Sequence, residues 1–390
     1  MDFLISWIND FSIIEWIVVG TLFFFFLMQL CYYLFVYGKP YAYEKKRKSQ
    51  PLKDEDLPSV SVIISSKNES EALQKNLPFI LEQDHPNFEV IVVNSGSTDE
   101  TDMVLKAAEN KYSNLYHTYV PAEAESVNER KLSLTIGIKA AKNEVLLFTD
   151  AYCKPCTHQW IREMSSKCVN EKEVVLGYCK LNIERKKRMR SFILYDNLIQ
   201  NLKLLSMAIS KKPFMGIGRN LAYKKELFFK HKGYSSILNV EGGEDDLYIN
   251  KIAHKKNTAV CLSPESMTET DVIQRFSTWR AFKAPYLYTK QFYKGVASFI
   301  FGLESFSKYA FYAFLLIASA LGVFNSNYVL LGFALLLFII RFLIQMNVIN
   351  RNSRLFDAGK FHINLLFFDI FQPLNNSRFR KYANKRNRYR

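Results

Sequence analysis

The chain has 390 residues, 49% of them hydrophobic and 15% aromatic, and its formal net charge is +15. This length accommodates one large domain with accessory segments. A wholly soluble protein with this excess of Lys and Arg would be expected to bind nucleic acid, but here the basic residues flank long apolar runs. We therefore predict membrane lipids, and not nucleic acid, as the partner of the basic residues.

The first apolar run covers residues 11–37, which exceeds the ~20 residues that cross the hydrocarbon core of a bilayer. Its start carries Asp2, Asp10 and Glu15, which is atypical of a cleavable secretory signal. Basic residues follow directly, at Lys39 and at positions 45–48. The positive-inside rule therefore predicts a transmembrane helix with the amino terminus outside and residues 39 to about 295 in the cytosol.

Apolar content rises again from residue 296. We predict an interfacial helix over residues 296–307 and a transmembrane hairpin over residues 309–324 and 328–349, with its turn at residues 325–327. Arg341 lies inside the second span, and we expect its side chain to reach the cytosolic interface. The hairpin returns the chain to the side on which the first helix leaves it.

These patterns divide the chain into five parts and predict a multi-pass protein of the cell (inner) membrane with a cytosolic catalytic domain. Residues 361–373 are too short to span a bilayer and are expected to lie in its interface, followed by a tail rich in Arg and Lys. The predicted parts are a transmembrane helix (1–38), a basic linker (39–58), a soluble domain (59–295), an interfacial helix with a hairpin (296–350), and an interfacial segment with a basic tail (351–390).

In the soluble part, short runs rich in β-branched residues alternate with segments of helical periodicity. This alternation predicts a mostly parallel α/β sheet with helices on both faces. A P-loop motif is absent, and Gly216-Ile-Gly218 lacks the third glycine and the preceding strand of a dinucleotide-binding turn. The predicted strands cover residues 59–65, 88–93, 145–148 and 174–179, and the predicted helices cover residues 71–83, 101–112, 132–141, 160–169 and 191–209.

Polar residues follow several of these strands, where the ligand crevice of an open α/β sheet lies. Asp150 ends the apolar run 145–148 and is placed either to meet a phosphate-bound cation or to cap the next turn. Two glycines precede Glu244 and Asp245. They suggest a loop shaped around a ligand, although carboxylates at a helix start also gain from the helix dipole.

The six cysteines show no regular disulfide spacing, and we expect them to be reduced thiols. Cys153 and Cys156 could be half of a zinc site or a redox pair, but no second Cys/His pair follows at ligand spacing. The basic run 185–190 is a solvated face or a contact with lipid headgroups.

The order and spacing of these polar sites resemble the membrane-bound glycosyltransferases of family 2, over residues 60–292 and the flanking membrane helices. The resemblance implies a nucleotide-diphospho-sugar transferase domain of the glycosyltransferase A type. It implies Asp245, beside Glu244, as the catalytic base and Asp150 as a metal ligand. The implied nucleotide-sugar-binding residues are Ser66, Asn68, Glu69, Asn94, Ser95, Asp99, Lys131, Asp150, Gly218 and Arg219.

The sequence departs from the family pattern at three places. Asn94-Ser95 stands where the family has aspartates, Tyr152 stands at the second aspartate of Asp-x-Asp, and residues 279–286 lack the Gln-x-x-Arg-Trp pattern. A missing carboxylate removes one hard oxygen ligand and weakens the binding of Mg²⁺ or Mn²⁺ without preventing it. We therefore expect a weakly bound divalent metal.

The resemblance implies an inverting transfer of a sugar from a nucleotide sugar, with a UDP-sugar as the expected donor, to a lipid-linked or cell-surface glycan acceptor. The degenerate motifs leave open a catalytically impaired homologue that acts as a membrane binding or scaffold protein. A third alternative, a membrane-anchored nucleic-acid binder, is disfavoured because the aromatic residues lie in lipid-length runs and do not alternate with arginines.

Overall fold

The computed structural model describes residues 11–47, 52–120, 128–184 and 189–388. Asp2, Asp10, Lys48, residues 185–188 of the basic run and the carboxyl-terminal residues 389 and 390 lie outside these ranges. The expectations attached to them stay predictions.

The soluble part alternates strands with helices, as predicted. Its strands are β1 (Val60–Ser66), β2 (Phe88–Ser95), β3 (Leu115–Val120), β4 (Val145–Phe148), β5 (Cys153–Pro155), β6 (Val174–Leu176), β7 (Cys179–Lys180), β8 (Leu221–Lys224), β9 (Thr258–Val260) and β10 (Thr268–Thr270). The helices of the whole described chain are α1 (Ile13–Cys31), α2 (Lys39–Lys46), α3 (Ser70–Leu81), α4 (Thr101–Lys111), α5 (Glu129–Ala140), α6 (Trp160–Ser165), α7 (Arg190–Ile209), α8 (Lys225–Lys230), α9 (Asp246–Ile252), α10 (Phe276–Thr289), α11 (Ala297–Phe324), α12 (Tyr328–Leu355) and α13 (Asn364–Arg388).

The main sheet has the strand order β3-β2-β1-β4-β8-β6-β9. Within the described ranges, β8 runs antiparallel to its neighbours β4 and β6, and the other adjacent pairs are parallel. A small second sheet, β5-β10-β7, adjoins it. The predicted mostly parallel α/β sheet is confirmed.

The sheet is buried on both faces because its strands alternate apolar side chains between two cores. Val62 and Ile64 of β1 pack with Leu73 and Leu77 of α3 on one face. Ile63 points to the other face, where it packs with Ile138 of α5 and with residues of α7. Helices on both faces leave the carboxyl-terminal edge of β1, β2 and β4 as the open edge of the sheet.

The strand predicted over residues 174–179 is two strands in two sheets. The chain leaves the main sheet at Gly177, where a Cβ atom would lie only 2.5 Å from the side chain of Asn220. Asn220 donates hydrogen bonds to the carbonyls of Tyr178 (2.9 Å) and Ser266 (2.8 Å). This contact comes from a distant part of the chain, so the local apolar run could not reveal the break.

In the described part of the chain, three helices are long and apolar enough to cross a membrane, and they cover Ile13–Lys46, Ala297–Phe324 and Tyr328–Leu355. They pack together through a common apolar core. Glu15, near the start of α1, accepts hydrogen bonds at 3.2 Å from Asn325 and Asn327 in the hairpin turn. The start of α1 and the hairpin turn therefore lie at the same end of the bundle.

The predicted break between an interfacial helix and the hairpin is wrong, because α11 is continuous through Glu304 and Lys308. These two residues, which interrupt the apolar run, are ion-paired with each other at 3.0 Å. Lys203 of α7 also contacts Glu304, at 3.1 Å. Paired charges can be buried within a helix bundle where a single charge would be excluded.

The expectation that Arg341 reaches the interface is also wrong. Its side chain is 0% exposed and pairs with Asp369 of α13 at 2.7 Å. It also donates to Gln29 of α1 at 2.9 Å. Partners on two other helices satisfy the guanidinium inside the bundle, so it has no need to extend to water.

The carboxyl-terminal part differs from the predicted interfacial segment and separate tail. Helix α13 runs without a break through both. Phe379, in the basic part, is buried against Trp279 of α10 with ring centroids 5.1 Å apart. This contact and the inward Asp369 attach α13 to the α/β domain and to the three long apolar helices.

Candidate active site

The turns after β1 and β2 are tied to each other at the open edge of the sheet. Asn68 has a left-handed backbone (φ 54°), and its side-chain oxygen accepts a hydrogen bond from the Thr98 N–H at 2.8 Å. Asn94 accepts one from the Ser97 N–H at 3.0 Å. Asn68 and Asn94 therefore shape this edge of the crevice.

Asp99 joins the starts of two helices. Its carboxylate accepts hydrogen bonds from the Ser70 N–H (3.0 Å) and from the Thr101 N–H (3.1 Å). Burial acts to raise its pKa, but the hydrogen bonds from Thr101 and Ser70 outweigh burial and lower the pKa of Asp99 to about 2. Asp99 is thus ionised and fixes the loop next to Asn68, while Ser66 and Ser95 are buried at the strand ends.

Glu69 lines a groove between these turns and the loop after β10, together with Ser70, Lys75, Asp99, Asp271 and Gln274. Burial, and next the charge of Asp150, raises the pKa of Glu69 to about 7. Near neutral pH Glu69 is therefore partly protonated, whereas Asp99 in the same groove stays ionised.

Asp150 lies at the end of β4 and is 4% exposed. One of its oxygens is paired with the Arg130 guanidinium, and the other accepts a hydrogen bond from the Tyr152 hydroxyl at 2.6 Å. Burial alone would raise the pKa of Asp150, but Arg130 and Tyr152 bring it below its ordinary value. Asp150 is therefore a carboxylate at neutral pH with both oxygens engaged.

Arg130 connects two parts of the site, because its guanidinium also contacts Glu244 at 2.9 Å. The neighbouring Lys131, which the resemblance places with the donor, does not join it. The Lys131 amine is buried and donates to the Val240 carbonyl and to Asn128. Successive helical residues point in different directions, so α5 presents Arg130 to the crevice while Lys131 supports the loop that leads to Asp245.

Arg219 is a buried cation in the crevice, with 7% of its surface exposed. Among the described residues, none accepts a hydrogen bond from its Nε atom or forms a salt bridge with it. Its guanidinium lies 5.3 Å from the ring centroid of Phe282. A buried cation without an ionic partner favours a site that receives an anion.

Asp245 faces the same crevice. Its Oδ2 atom accepts hydrogen bonds from the Gly218 N–H at 2.7 Å and from the Tyr286 hydroxyl at 2.5 Å. Its Oδ1 atom accepts one from the Asp246 N–H at 2.8 Å, as the N-cap of α9. Gly218, expected to bind the donor, thus contacts Asp245, and a Cβ atom there would lie 3.2 Å from Oδ2.

The two carboxylates next to Asp245 in the chain have raised pKa values. Burial, and next the charge of Asp245, raises the pKa of Asp246 to about 8, and Asp246 accepts hydrogen bonds from Thr289 and Tyr293. Burial also raises the pKa of Glu244. Asp246 is therefore largely protonated near neutral pH, and Glu244 is held by Arg130.

The crevice is closed on one side by α10, whose importance the sequence did not indicate. Phe282 stacks on Tyr152 with ring centroids 5.0 Å apart, and Tyr286 holds Asp245. Asp150, Tyr152, Arg219, Asp245, Phe282 and Tyr286 all line one cleft. It can hold an anion at its arginines while a carboxylate faces a second reactant.

Part of the chain that forms this cleft matches a known protein family. Residues 61–231 match the model described as "Glycosyl transferase family 2". This part of the chain is therefore similar to a family 2 glycosyltransferase domain. The match includes Asp150 and Arg219 but ends before Asp245, so the roles of the carboxylates after Gly243 are argued from the geometry above.

Curated relatives of this family 2 domain are glycosyltransferases. The chain is 35% identical over 107 residues to the glycosyltransferase AglE of Haloferax volcanii, covering 27% of this chain and 34% of that protein. It is 28% identical over 120 residues to a poly-beta-1,6-N-acetyl-D-glucosamine synthase of Staphylococcus epidermidis, covering 31% and 27%. These alignments span only about a third of the relatives' length.

A solved structure shares the fold of most of the chain. It is a mannosyltransferase from Pyrobaculum calidifontis in complex with GDP-Man and Mn²⁺, with a TM-score of 0.55 and 18% identity. The likeness covers 88% of this chain and 100% of that one. At this identity it shows the glycosyltransferase A fold and nothing about the ligand of this chain.

Sequence reasoning missed three side chains of the site: Arg130, Phe282 and Tyr286. Arg130 is adjacent to the chosen Lys131, and the helical phase of α5 was the only signal that could have separated them. Phe282 and Tyr286 are four residues apart and share one face of α10. Their spacing indicated an aromatic face but not what it covers.

Proposed function

We propose that this chain is an inverting glycosyltransferase that transfers a sugar from a nucleotide sugar to an acceptor hydroxyl. One observation carries the proposal: the buried Arg219, which has no salt bridge among the described residues, and the Asp245 side chain line a single cleft beside a segment that matches family 2. A cation stabilises the donor diphosphate, and a carboxylate accepts the proton of the acceptor hydroxyl, so the reaction needs both groups in one cleft.

The donor is proposed to lie along the open edge of the sheet. Its nucleoside would occupy the groove at Glu69, shaped by Ser66, Asn68, Asn94, Ser95 and Asp99, and its diphosphate would lie near Arg219. Arg130, between Asp150 and Glu244, adds a second fixed positive charge. Preorganised cations of this kind stabilise negative charge that develops on a leaving group.

Asp245 is proposed as the general base, a role worth roughly 10²–10⁴ in rate. The acceptor oxygen would form a bond to the anomeric carbon while the acceptor proton passes to the Asp245 carboxylate. The bond from that carbon to the diphosphate oxygen breaks, and its electron pair leaves with the nucleoside diphosphate. Attack opposite the leaving group inverts the anomeric centre.

Asp150 is the proposed carboxylate for a divalent metal, and an ion would have to displace Arg130 or Tyr152, which occupy its two oxygens. Among the described residues, no group of three His, Cys, Asp or Glu side chains is arranged to hold an ion. Asp150 would hold Mg²⁺ or Mn²⁺ together with donor phosphates, and binding would be weak because Tyr152 offers no carboxylate. A bound ion would supply further neutralisation of the diphosphate.

The proposed location is the cell (inner) membrane, with residues 39 to about 295 in the cytosol. The three apolar helices and the basic residues beside them support it. A UDP-sugar is the proposed donor, and a lipid-linked or cell-surface glycan is the proposed acceptor. A relative that makes poly-N-acetylglucosamine supports a polysaccharide product.

A thermal-shift screen tests donor binding on the full chain in neutral detergent. The panel contains UDP-N-acetylglucosamine, UDP-glucose and GDP-mannose, each with and without Mn²⁺. We expect one of them to raise the unfolding temperature, and Arg219→Gln to weaken its affinity by about 10–100-fold, as for charge-assisted hydrogen bonds of about 1.5–3 kcal/mol. The exposed Arg354→Gln serves as the matched control.

Arg219→Gln should fold, because no described carboxylate loses an ion-pair partner. If no nucleotide sugar stabilises the protein, or if Arg219→Gln binds as tightly as the wild type, the proposal fails.

The second candidate is a catalytically impaired homologue that binds a partner or glycan at the membrane. The observation in its favour is that Arg130 and Tyr152 already occupy both oxygens of Asp150. Donor binding without release of nucleoside diphosphate, in the presence of membrane lipid extract, would support this candidate over the transferase.

A further inference from the structure

A second pocket lies beside Tyr286, between the α/β domain and the apolar helices. Its walls come from α7, α10, α11 and α13. Tyr286 also lines the active-site cleft and holds Asp245, so the two cavities share this side chain. We call this cavity the lysine pocket, since Lys203, Lys283 and Lys290 line it.

The positive charge of the lysine pocket is only partly balanced. Lys283, with 5% of its side chain exposed, pairs with Asp196. Lys203 pairs with Glu304, but Glu304 is shared with Lys308. Within the described ranges, Lys290 has neither a salt bridge nor a side-chain hydrogen bond. The charges of the three lysines are thus balanced by Asp196 and by Glu304, whose charge is shared with Lys308.

The neighbouring ion pairs do not remove this excess. Asp369 pairs with both Lys308 and Arg341, and Glu304 pairs with both Lys203 and Lys308. Each of these two carboxylates therefore balances two cations, whereas Asp196 pairs with Lys283. Lys290 is exposed, and the positive charges of Lys203, Arg380 and Lys283 lie near it. An added anion at this position would relieve the repulsion between these cations.

Apart from its lysines, the pocket is lined mainly by apolar and aromatic residues, with Gln200, Gln372 and Asn376 as the polar exceptions. Leu287, Met215 and Phe301 line it, and Phe301 belongs to α11. Helix α11 is one of the helices long and apolar enough to cross a membrane. A pocket with cations inside and an apolar wall from such a helix suits an amphiphile, because its chain can stay in lipid while its charged group enters the pocket.

We propose that the lysine pocket binds the phosphate group of a lipid-linked acceptor and so presents the acceptor past Tyr286 to Asp245. This inference rests on the proposed transferase function and specifies its acceptor class. The lysines would contact phosphate oxygens, and the part of the acceptor that carries the reacting hydroxyl would extend toward Asp245. A neutral glycan would leave the lysine charges unmatched.

The test uses the full chain in neutral detergent, with hexadecyl phosphate as the probe. Hexadecanol and inorganic phosphate are the two comparison ligands, since they carry only the chain or only the charge. We expect hexadecyl phosphate to bind at least about tenfold more tightly than either one, because each lacks half of the recognition. Equal binding of hexadecanol or of inorganic phosphate would overturn the inference.

Lys290→Gln is the decisive variant, because it removes a charge without leaving a described carboxylate unpaired. We expect it to weaken hexadecyl phosphate binding by about tenfold, the scale of one charge-assisted contact. Lys294→Gln, at an exposed position four residues away, should bind the probe as the wild type does. Unchanged affinity of Lys290→Gln would also overturn the inference.

Lys290→Arg guards against a folding defect, since it keeps the charge and should restore most of the affinity. Nucleotide-sugar affinity, measured on the same preparations, separates the two proposals. If a nucleotide sugar binds but hexadecyl phosphate does not, the lipid-phosphate proposal is wrong and the proposed transferase function still stands. If hexadecyl phosphate binds but no nucleotide sugar does, the proposed transferase function is wrong and the pocket is a lipid-binding site only.

Discussion

Replacing Asp245 by Asn tests the proposed base most directly. The wild-type Oδ2 accepts two hydrogen bonds, from Gly218 and Tyr286, and Oδ1 accepts one from the Asp246 N–H. An Asn side chain has one oxygen, which would face Gly218 because a backbone N–H can only donate. Its amide nitrogen would then face the Asp246 N–H, so one hydrogen bond is lost.

This geometry sets two separate magnitudes for Asp245→Asn. The lost cap bond should cost about 1–2 kcal/mol of stability, which leaves the protein folded. The lost basic lone pair should lower sugar transfer by at least about 10². Donor affinity should change little, because Arg219 and the loops at Asn68 and Asp99 carry the proposed donor contacts.

The assay measures nucleoside diphosphate release and donor affinity on the same detergent-purified variant, with membrane lipid extract as the acceptor source. Asp56→Asn, at an exposed position outside the cleft, is the matched acid-to-amide control and should behave as the wild type. Near-normal transfer by Asp245→Asn would refute the assignment of the base. Glu244 and Asp246 would then be the next carboxylates to test.

Three further predictions concern metal, pH and topology. Tyr152→Asp should tighten the binding of nucleoside diphosphate in Mn²⁺, since it adds a carboxylate beside Asp150, and titration calorimetry with and without Mn²⁺ would contradict this if affinity did not change. The folded-state pKa of Glu69 is raised from 4.5 to about 7, so its contribution to stability is fully present below about pH 4.5 and is lost as the pH rises through 7. Glu69→Gln should therefore gain stability relative to the wild type between pH 5 and 8, and melting temperatures whose difference is flat across that range would disprove the shift. A cysteine placed at Ser113 should resist membrane-impermeant reagents in intact cells, and its labelling from outside would reverse the proposed orientation.

Much of the fold could be predicted because its signals are local. The apolar runs of β1, β2 and β4 are each followed by polar residues, and this order along the chain indicates a parallel sheet with its polar loops at one edge. Asp150 and Asp245 could be chosen for the same reason, since each lies at a break in an otherwise regular pattern. The family resemblance then assigned roles to them.

What the sequence determined by itself was therefore the alternation of elements, the apolar spans and the carboxylates at strand ends. Only the tertiary structure decided which side chains meet those carboxylates. Arg130 reaches Asp150 from α5, and Tyr286 reaches Asp245 across 41 residues of chain. Arg341 finds Asp369 on another helix, which turns a costly charge into a buried pair. Such partners are set by how helices pack, and no local pattern encodes the distance between two side chains on separate elements.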